Sequence, residues 1–334
     1  SRTTVSLVLN QVPGVRIAAA TRERVLQVAR DLGYSPGPRL EPEEPDRKRL
    51  YGVLINEISA AYPIDLIYGL QSWAEAKASQ LVIGVTDGRA DYEAAVLENF
   101  RRLNVEGVVY SSTFTAIAAP HPSLESFHHV LLNCRRGNRR GFAVLPAERH
   151  GGALATEHLL SVGRRRIATI TGDPWQMAAV ERLAGYHRAL NKAGRNCGSP
   201  YEKSTDWGHE QGYAATLELL ALAEPPDAIF CQNDLIARGA MAAALQQGLS
   251  IPDDLAIVGY DEREFAKDFG ISSVTLPFVE MAEKAMEELE RSSNAQDKTI
   301  TVSGHLVQRA SSVGGALPSH QLRLRSAQEG FRHT

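Results

Sequence analysis

The chain has 334 residues, 43% hydrophobic and 22% charged, with a formal net charge of -3. At about 150 residues per domain this predicts roughly two globular domains, and the composition is neither disordered nor fibrous. A net negative chain is not a general nucleic-acid binder, three scattered cysteines make no disulfide framework or structural zinc site, and no apolar run approaches the roughly 18 residues of a membrane span.

Residues 1–34 read as two short helices. In the first, Val5, Val8 and Leu9 are spaced as one buried face, and Asn10 and Gly14 suit a helix exit. In the second, over 21–34, Thr21 is the expected N-cap, Glu23 complements the helix start, and Val25, Val28, Ala29 and Leu32 form the inner stripe, with Gly33 closing it. Residues 1–40 hold six arginines against Glu23 and Asp31, so positive charge is concentrated here. Residues 35–49 carry Pro36, Pro38, Pro42 and Pro45 among many charges and read as an extended linker.

From Leu50 the pattern becomes strand-then-helix. Apolar, β-branched runs at 50–55, 81–85, 107–110, 129–132, 142–145, 166–171, 227–231 and 255–259 alternate with amphipathic stretches at 64–79, 91–103, 151–162, 179–193, 209–222, 234–247 and 278–291. Near-continuous apolar strands mean parallel sheets covered on both faces. The fold class is therefore α/β, two doubly wound lobes of parallel sheet preceded by a small all-α module. Ligands of such folds sit at the carboxyl ends of the strands, which places the default site in a cleft between the lobes. The segment 313–334 has little apolar periodicity and reads as a flexible tail.

The run S-x-x-T-V-S-x-V-L-N followed by T-x-x-x-V-x-x-A-x-x-L-G-Y resembles the second half of the DNA-binding module of the lactose/galactose repressor (LacI/GalR) family. The resemblance implies that 1–34 is a partial helix-turn-helix whose first helix lies upstream of Ser1. Residues 1–10 would be the recognition helix in the major groove. Arg2 and Thr3 would read base edges with Leu7 nearby, and Thr4, Ser6 and Asn10 would contact phosphates or shape the turn. Where the family carries a helical hinge, residues 37–46 hold three prolines and four acids, and Leu40 is the one apolar side chain able to wedge into a minor groove.

The resemblance continues through NVEGVVY (104–110), GGALATEHLLSVGRRRIATITG (151–172), ERLAGYHRAL (181–190) and AIFCQNDLIARGAMAAALQQGLSIPDDLAIVGYDE (228–262). It implies a two-lobed, periplasmic-binding-protein-like core: 50–145 with 277–298 as one lobe, and 146–276 with 299–312 as the other. It also implies a sugar-like effector in the cleft. Sugars need planar polar groups for paired hydroxyls and aromatic faces for C–H patches. By position, Asp261 would accept effector hydroxyls, Arg182 would bridge them, and Asn233 would contact them, with Asp234 as helix cap. Trp207 and Phe278 would line the pocket, Tyr62 would cover its mouth, and Asn133 would add an amide. Glu148 and Trp175 follow strands and are weaker candidates. Ala178 and Leu276 depart from the polar residues frequent at their positions.

No G-x-x-x-x-G-K-[ST], G-x-G-x-x-G, G-x-S-x-G or H-E-x-x-H motif occurs, so the chain is not read as an enzyme and no metal or cofactor is expected. The RRGNRRG run at 135–141 could bind an anion, and reads first as a solvated loop. The expectation is a cytoplasmic homodimeric regulator, a repressor by resemblance, that binds operator DNA and responds to a sugar or sugar derivative, with no membrane partner. The alternative is a sugar-binding receptor of the periplasmic type without DNA binding.

Overall fold

A computed structural model describes residues 2–9, 17–31, 49–58, 65–195, 198–291 and 297–315. They fall into two compact units, one within 1–48 and one within 49–334. Most of the linker, Asn10, Leu40, Tyr62 and the tail beyond residue 315 lie outside the described residues.

The first unit contains α1 (Arg2–Leu9) and α2 (Ala19–Asp31). Helix α2 begins two residues before the expected cap. Thr21 and Arg22 already donate their amides to Ala18 O at 2.9 and 3.1 Å, so Thr21 lies inside the first turn. The strong helix former Ala at 19 and 20 extends the helix backwards past it. Val8 and Ala29 are buried, whereas Val5 and Val28, expected on the inner faces, are 42% and 49% exposed. An eight-residue helix is only about 12 Å long, so α1 and α2 shield a narrow strip of each other.

The second unit holds two lobes. The first is built from β1 (Leu50–Ile55), α3 (Asp65–Ala76), β2 (Gln80–Val85), α4 (Ala90–Leu103), β3 (Gly107–Ala118), β4 (His129–Arg136) and β5 (Phe142–Pro146). The chain then enters the second lobe through α5 (Glu148–Ser161), β6 (Ile167–Thr171), α6 (Met177–Lys192), β7 (Glu202–Ser204), α7 (His209–Leu220), β8 (Ala228–Cys231), α8 (Asp234–Gln246), β9 (Ala256–Asp261), α9 (Glu264–Asp268) and β10 (Ser272–Thr275). It returns to the first with α10 (Phe278–Glu290) and β11 (Lys298–Val302), and ends in the second with β12 (Leu306–Val307) and α11 (Ala310–Val313).

The sheet orders are β11-β5-β4-β3-β1-β2 and β12-β10-β9-β8-β6-β7. Among the described residues, every pairing is parallel except β10 with β12. In each sheet the winding reverses beside its first strand, between β1 and β3 and between β6 and β8, and a ligand crevice opens at such a switch point. Successive residues of a strand face opposite sides. Val53 accordingly packs with Leu70, Trp73 and Met281 on one side, and Leu54 with Leu97 and Phe100 on the other. The second lobe repeats this with Ile229 against α8 and Phe230 against Tyr186 and Leu190.

The lobe boundary at 298/299 expected from the sequence falls inside β11. All five residues of that strand pair with β5, from Lys298 opposite Phe142 to Val302 opposite Pro146, so the first lobe extends to Val302. The crossing segments are bonded to one another. Ala147 N donates to Val302 O, and Thr275 N donates to His305 O, both at 2.8 Å. Helices α5 and α6 meet through Gly152 and Gly185. A Cβ at Gly152 would collide with Arg182 O, and one at Gly185 with Arg149 O, so only glycine permits this approach.

Candidate functional site

A cavity of about 160 Å³ lies between the carboxyl ends of the two sheets. Seven of the nine expected effector residues line it: Asn133, Glu148, Arg182, Trp207, Asn233, Asp261 and Phe278. Ala178 and Leu276 line it as well. Trp175 does not. It is 77% exposed and lines an adjoining open groove, because the turn after β6 directs it to the outside of the cavity wall.

The centre of the site is a buried charge cluster. Arg182, 4% exposed on α6, donates Nε to Glu148 Oε2 at 2.7 Å and Nη2 to Glu148 Oε1 at 3.0 Å. Its Nη1 donates to Gln232 O and, at 3.3 Å, to Asp261 Oδ1. These contacts leave one of the guanidinium's five N–H groups for a ligand. The guanidinium also lies 3.7 Å from the centroid of the Tyr260 ring and 5.7 Å from that of Trp207. Burial pushes the Asp261 carboxyl up to about 6, with Arg182 opposing and Glu148 adding to the rise. Asp261 ends β9 with a left-handed φ of 96°, the strained turn that carries its side chain to the cavity.

The polar groups differ in what they have left to offer. Asn133 is committed to its own chain: Nδ2 donates to Ser112 O and Thr113 O, and Thr115 Oγ1 lies 2.9 Å from both Asn133 Oδ1 and Glu148 Oε1. Asn233 is the N-cap of α8, its Oδ1 accepting from Ile236 N at 2.7 Å, and its Nδ2 donates to Trp207 O at 3.0 Å. The cap expected at Asp234 is therefore one residue earlier. Asp234, fully buried, instead accepts from Arg263 N and Ser273 Oγ, each at 2.7 Å, and burial holds its carboxyl well above the usual range. By contrast, Trp207 Nε1 and Gln176 Oε1 are buried without a protein partner, and both residues line the cavity. A buried unpaired donor and acceptor cost free energy that a ligand hydroxyl recovers. Gln176 escaped the sequence reading, as did Phe114 and Thr115. Gln176 stands next to Trp175 in the same strand-to-helix turn, and that position is the signal that could have found it. Phe114 and Thr115 sit in a register shift of β3 between Ser111 and Ala116, beyond the apolar run at 107–110.

Of the expected DNA readers, Arg2, Thr3, Thr4, Ser6 and Leu7 share α1, where Thr4 and Leu7 are half-buried.

Residues 1–37 match the family model of bacterial regulatory proteins of the lacI family, and residues 156–312 match a periplasmic binding protein-like domain. The chain is thus similar to the LacI family of transcriptional regulators. It is 28% identical to the ribose operon repressor of Haemophilus influenzae over 90% of this chain and 91% of that protein. It is 29% identical to the HTH-type transcriptional repressor PurR of Erwinia tasmaniensis over 94% of each. Among solved structures, the transcriptional regulator CelR in complex with cellobiose superposes with a TM-score of 0.66 and 27% identity, over 93% of this chain and 96% of that one. The match over 1–37 sets aside the receptor without DNA binding, and this chain is a DNA-binding regulator. No helix among the described residues is long and apolar enough to cross a membrane.

Proposed function

We propose that this regulator binds operator DNA as a cytoplasmic homodimer without catalytic activity of its own, and that a neutral, polyhydroxylated sugar in the interlobe cavity controls that binding. The observation that carries the effector class is the charge state of the cavity. Three carboxylates, Glu148, Asp206 and Asp261, line it against two guanidiniums, Arg182 and Arg263, and Arg182 is already shared between two of those acids, so the site has acids to accept hydroxyl protons and a net negative lining that disfavours an anion. Trp207 Nε1 and Gln176 Oε1 add one donor and one acceptor, and Phe278 and Leu276 add apolar surface for sugar C–H groups. The ribose operon repressor and the cellobiose-bound CelR support the same class.

In this reading Asp261, Arg182, Gln176 and Trp207 contact the sugar, while Glu148, Asn133 and Asn233 hold those side chains in place. Closure of the lobes on the sugar biases a two-state arrangement, and the lobes pass that bias to the DNA-binding helices. Arg2, Thr3 and Leu7 on α1 meet base edges, and Thr4, Ser6 and Asn10 meet the backbone. In this reading the dimer face lies on the first lobe, supported by the 40% and 44% exposure of Ile83 and Val85 on one side of the edge strand β2. A thermal-shift screen of the full chain against a panel of neutral sugars tests this. At least one sugar should raise the melting temperature and shift operator binding. A panel in which only phosphorylated or acidic sugars stabilise the protein would contradict the effector class.

A further inference from the structure

We propose that the open groove beside the sugar cavity is a second ligand site, one that takes a phosphate-bearing small molecule with a ring, such as a sugar phosphate or nucleotide. The groove measures about 1070 Å³ and is walled by both lobes. Arg135 and Arg139 line it from the first lobe, and Arg149 and Arg188 from the second. Two carboxylates line it, and both are committed. Glu181 pairs with Arg149 at 2.9 and 3.2 Å, and Glu148 pairs with Arg182. Among the described residues, no carboxylate lies within 4.0 Å of Arg135, Arg139 or Arg188. Three guanidinium groups thus face one groove from two lobes with no protein counter-ion.

The chemistry of the ligand follows from the walls. Like charges repel across the groove, so a divalent anion between them relieves repulsion and joins the lobes. A guanidinium fork matches phosphate oxygens in paired hydrogen bonds. Thr299 and Thr301, two residues apart and therefore on one side of edge strand β11, present exposed hydroxyls to the same groove. Trp175 supplies the ring contact. An indole left 77% exposed on the rim is a large, mostly uncovered apolar plane, suited to the face of a sugar or a base. The residue that fell outside the sugar cavity and the RRGNRRG run thus meet in one site.

The groove and the cavity share Phe114, Thr115, Glu148 and Gln176 as walls, yet they ask for opposite ligands. In the cavity carboxylates outnumber guanidiniums, whereas the groove has three guanidiniums without a protein counter-ion. Two ligands that touch both lobes and a common wall bias one lobe arrangement, so their affinities are coupled, reciprocally.

Calorimetric titration of the full chain with glucose 6-phosphate and with adenosine monophosphate, at fixed ionic strength, tests the site. Glucose and adenosine are the uncharged controls. Saturable binding of at least one phosphorylated probe is expected at up to millimolar concentration, with its uncharged parent much weaker. Arg139→Gln and Arg188→Gln, both exposed positions whose loss should not unfold the chain, should each weaken it about tenfold, or roughly 1.4 kcal/mol. Trp175→Ala should weaken it as well. No saturable heat with either probe, or affinities unchanged in both arginine variants, overturns the proposal. Loss of binding in Asp261→Asn with no effect of the arginine substitutions also overturns it, because the probe would then occupy the sugar cavity.

Discussion

The two lobes share one winding, but they contribute unequally to the cavity. The first lobe lines it with groups already hydrogen-bonded to their own chain: Asn133 holds Ser112 and Thr113, and Thr115 bridges Asn133 and Glu148. The second supplies the charges and the unpaired groups, namely Arg182, Asp261, Trp207 and Gln176. The lesson is a division of labour. The second lobe recognises the ligand, and the first closes over it with a pre-formed wall.

The largest effect that sharpens this contrast is on stability. Arg182→Met leaves Glu148 and Asp261 buried beside each other without their cation, and removing one partner of a buried pair typically costs about 3–5 kcal/mol. Urea unfolding should show that loss. A loss below about 1 kcal/mol, the scale of an exposed pair, would mean that the cluster is hydrated rather than buried.

Next in size is Asn233→Ala. It removes the α8 cap, worth about 1 kcal/mol, together with the tether to Trp207 O. Sugar affinity should fall too, because Trp207 loses its anchor. If stability falls and affinity does not, Trp207 is held by its other contacts, its amide on Thr205 Oγ1 and its ring against Gly172, where a Cβ would collide with it.

How much of this could be read from the chain depends on polarity. Strands with apolar runs were visible, from Leu50–Ile55 to Ala256–Asp261. Strands β7, β10, β11 and β12 were not, because EKS, SSVT, KTITV and LV are polar or short. In β10, Ser272 and Ser273 are buried through hydrogen bonds to Arg309 O, Ser312 Oγ and Asp234 Oδ1, a polar interior that hydropathy does not report. The site was legible wherever a residue lies in or just beyond the carboxyl-terminal half of a strand, as at Asn133, Asn233 and Asp261. The separate work of those residues was not. Asn233 caps and Asn133 braces because of backbone partners that only the folded chain brings close. Val5 and Val28 have helical spacing, yet spacing does not say which neighbour covers a face.

The pH dependence sets the lobes apart more gently. The Asp261 carboxyl is raised to about 6 by burial, so the folded state holds its proton more tightly than the unfolded state does. This group therefore adds stability below about pH 4, the ordinary carboxylate range. That contribution is lost as pH rises from there through about 6. Asp261→Asn should flatten this part of the stability profile, as followed by denaturation at several pH values. Sugar affinity should run the other way and strengthen as Asp261 ionises. An affinity that is flat between pH 5 and pH 7 would remove Asp261 from the ligand contact.

The smallest effect is expected in the first lobe. Asn133→Ala loses the oxygen that faces Thr115 and the amide donors to Ser112 O and Thr113 O without burying a new charge, so it should alter closure more than recognition. In stopped-flow binding it should change rates more than the equilibrium constant. A loss of affinity as large as that of an Asp261 variant would erase the division between the lobes.

The most direct test of that division is calorimetric titration of the full chain with a sugar that stabilises it, comparing the native protein with Asp261→Asn at pH 7. A hydrogen bond to a buried charge is worth about 1.5–3 kcal/mol, so affinity should fall roughly ten- to a hundredfold while the chain remains folded. Equal affinity in the two proteins would contradict the assignment of recognition to the second lobe.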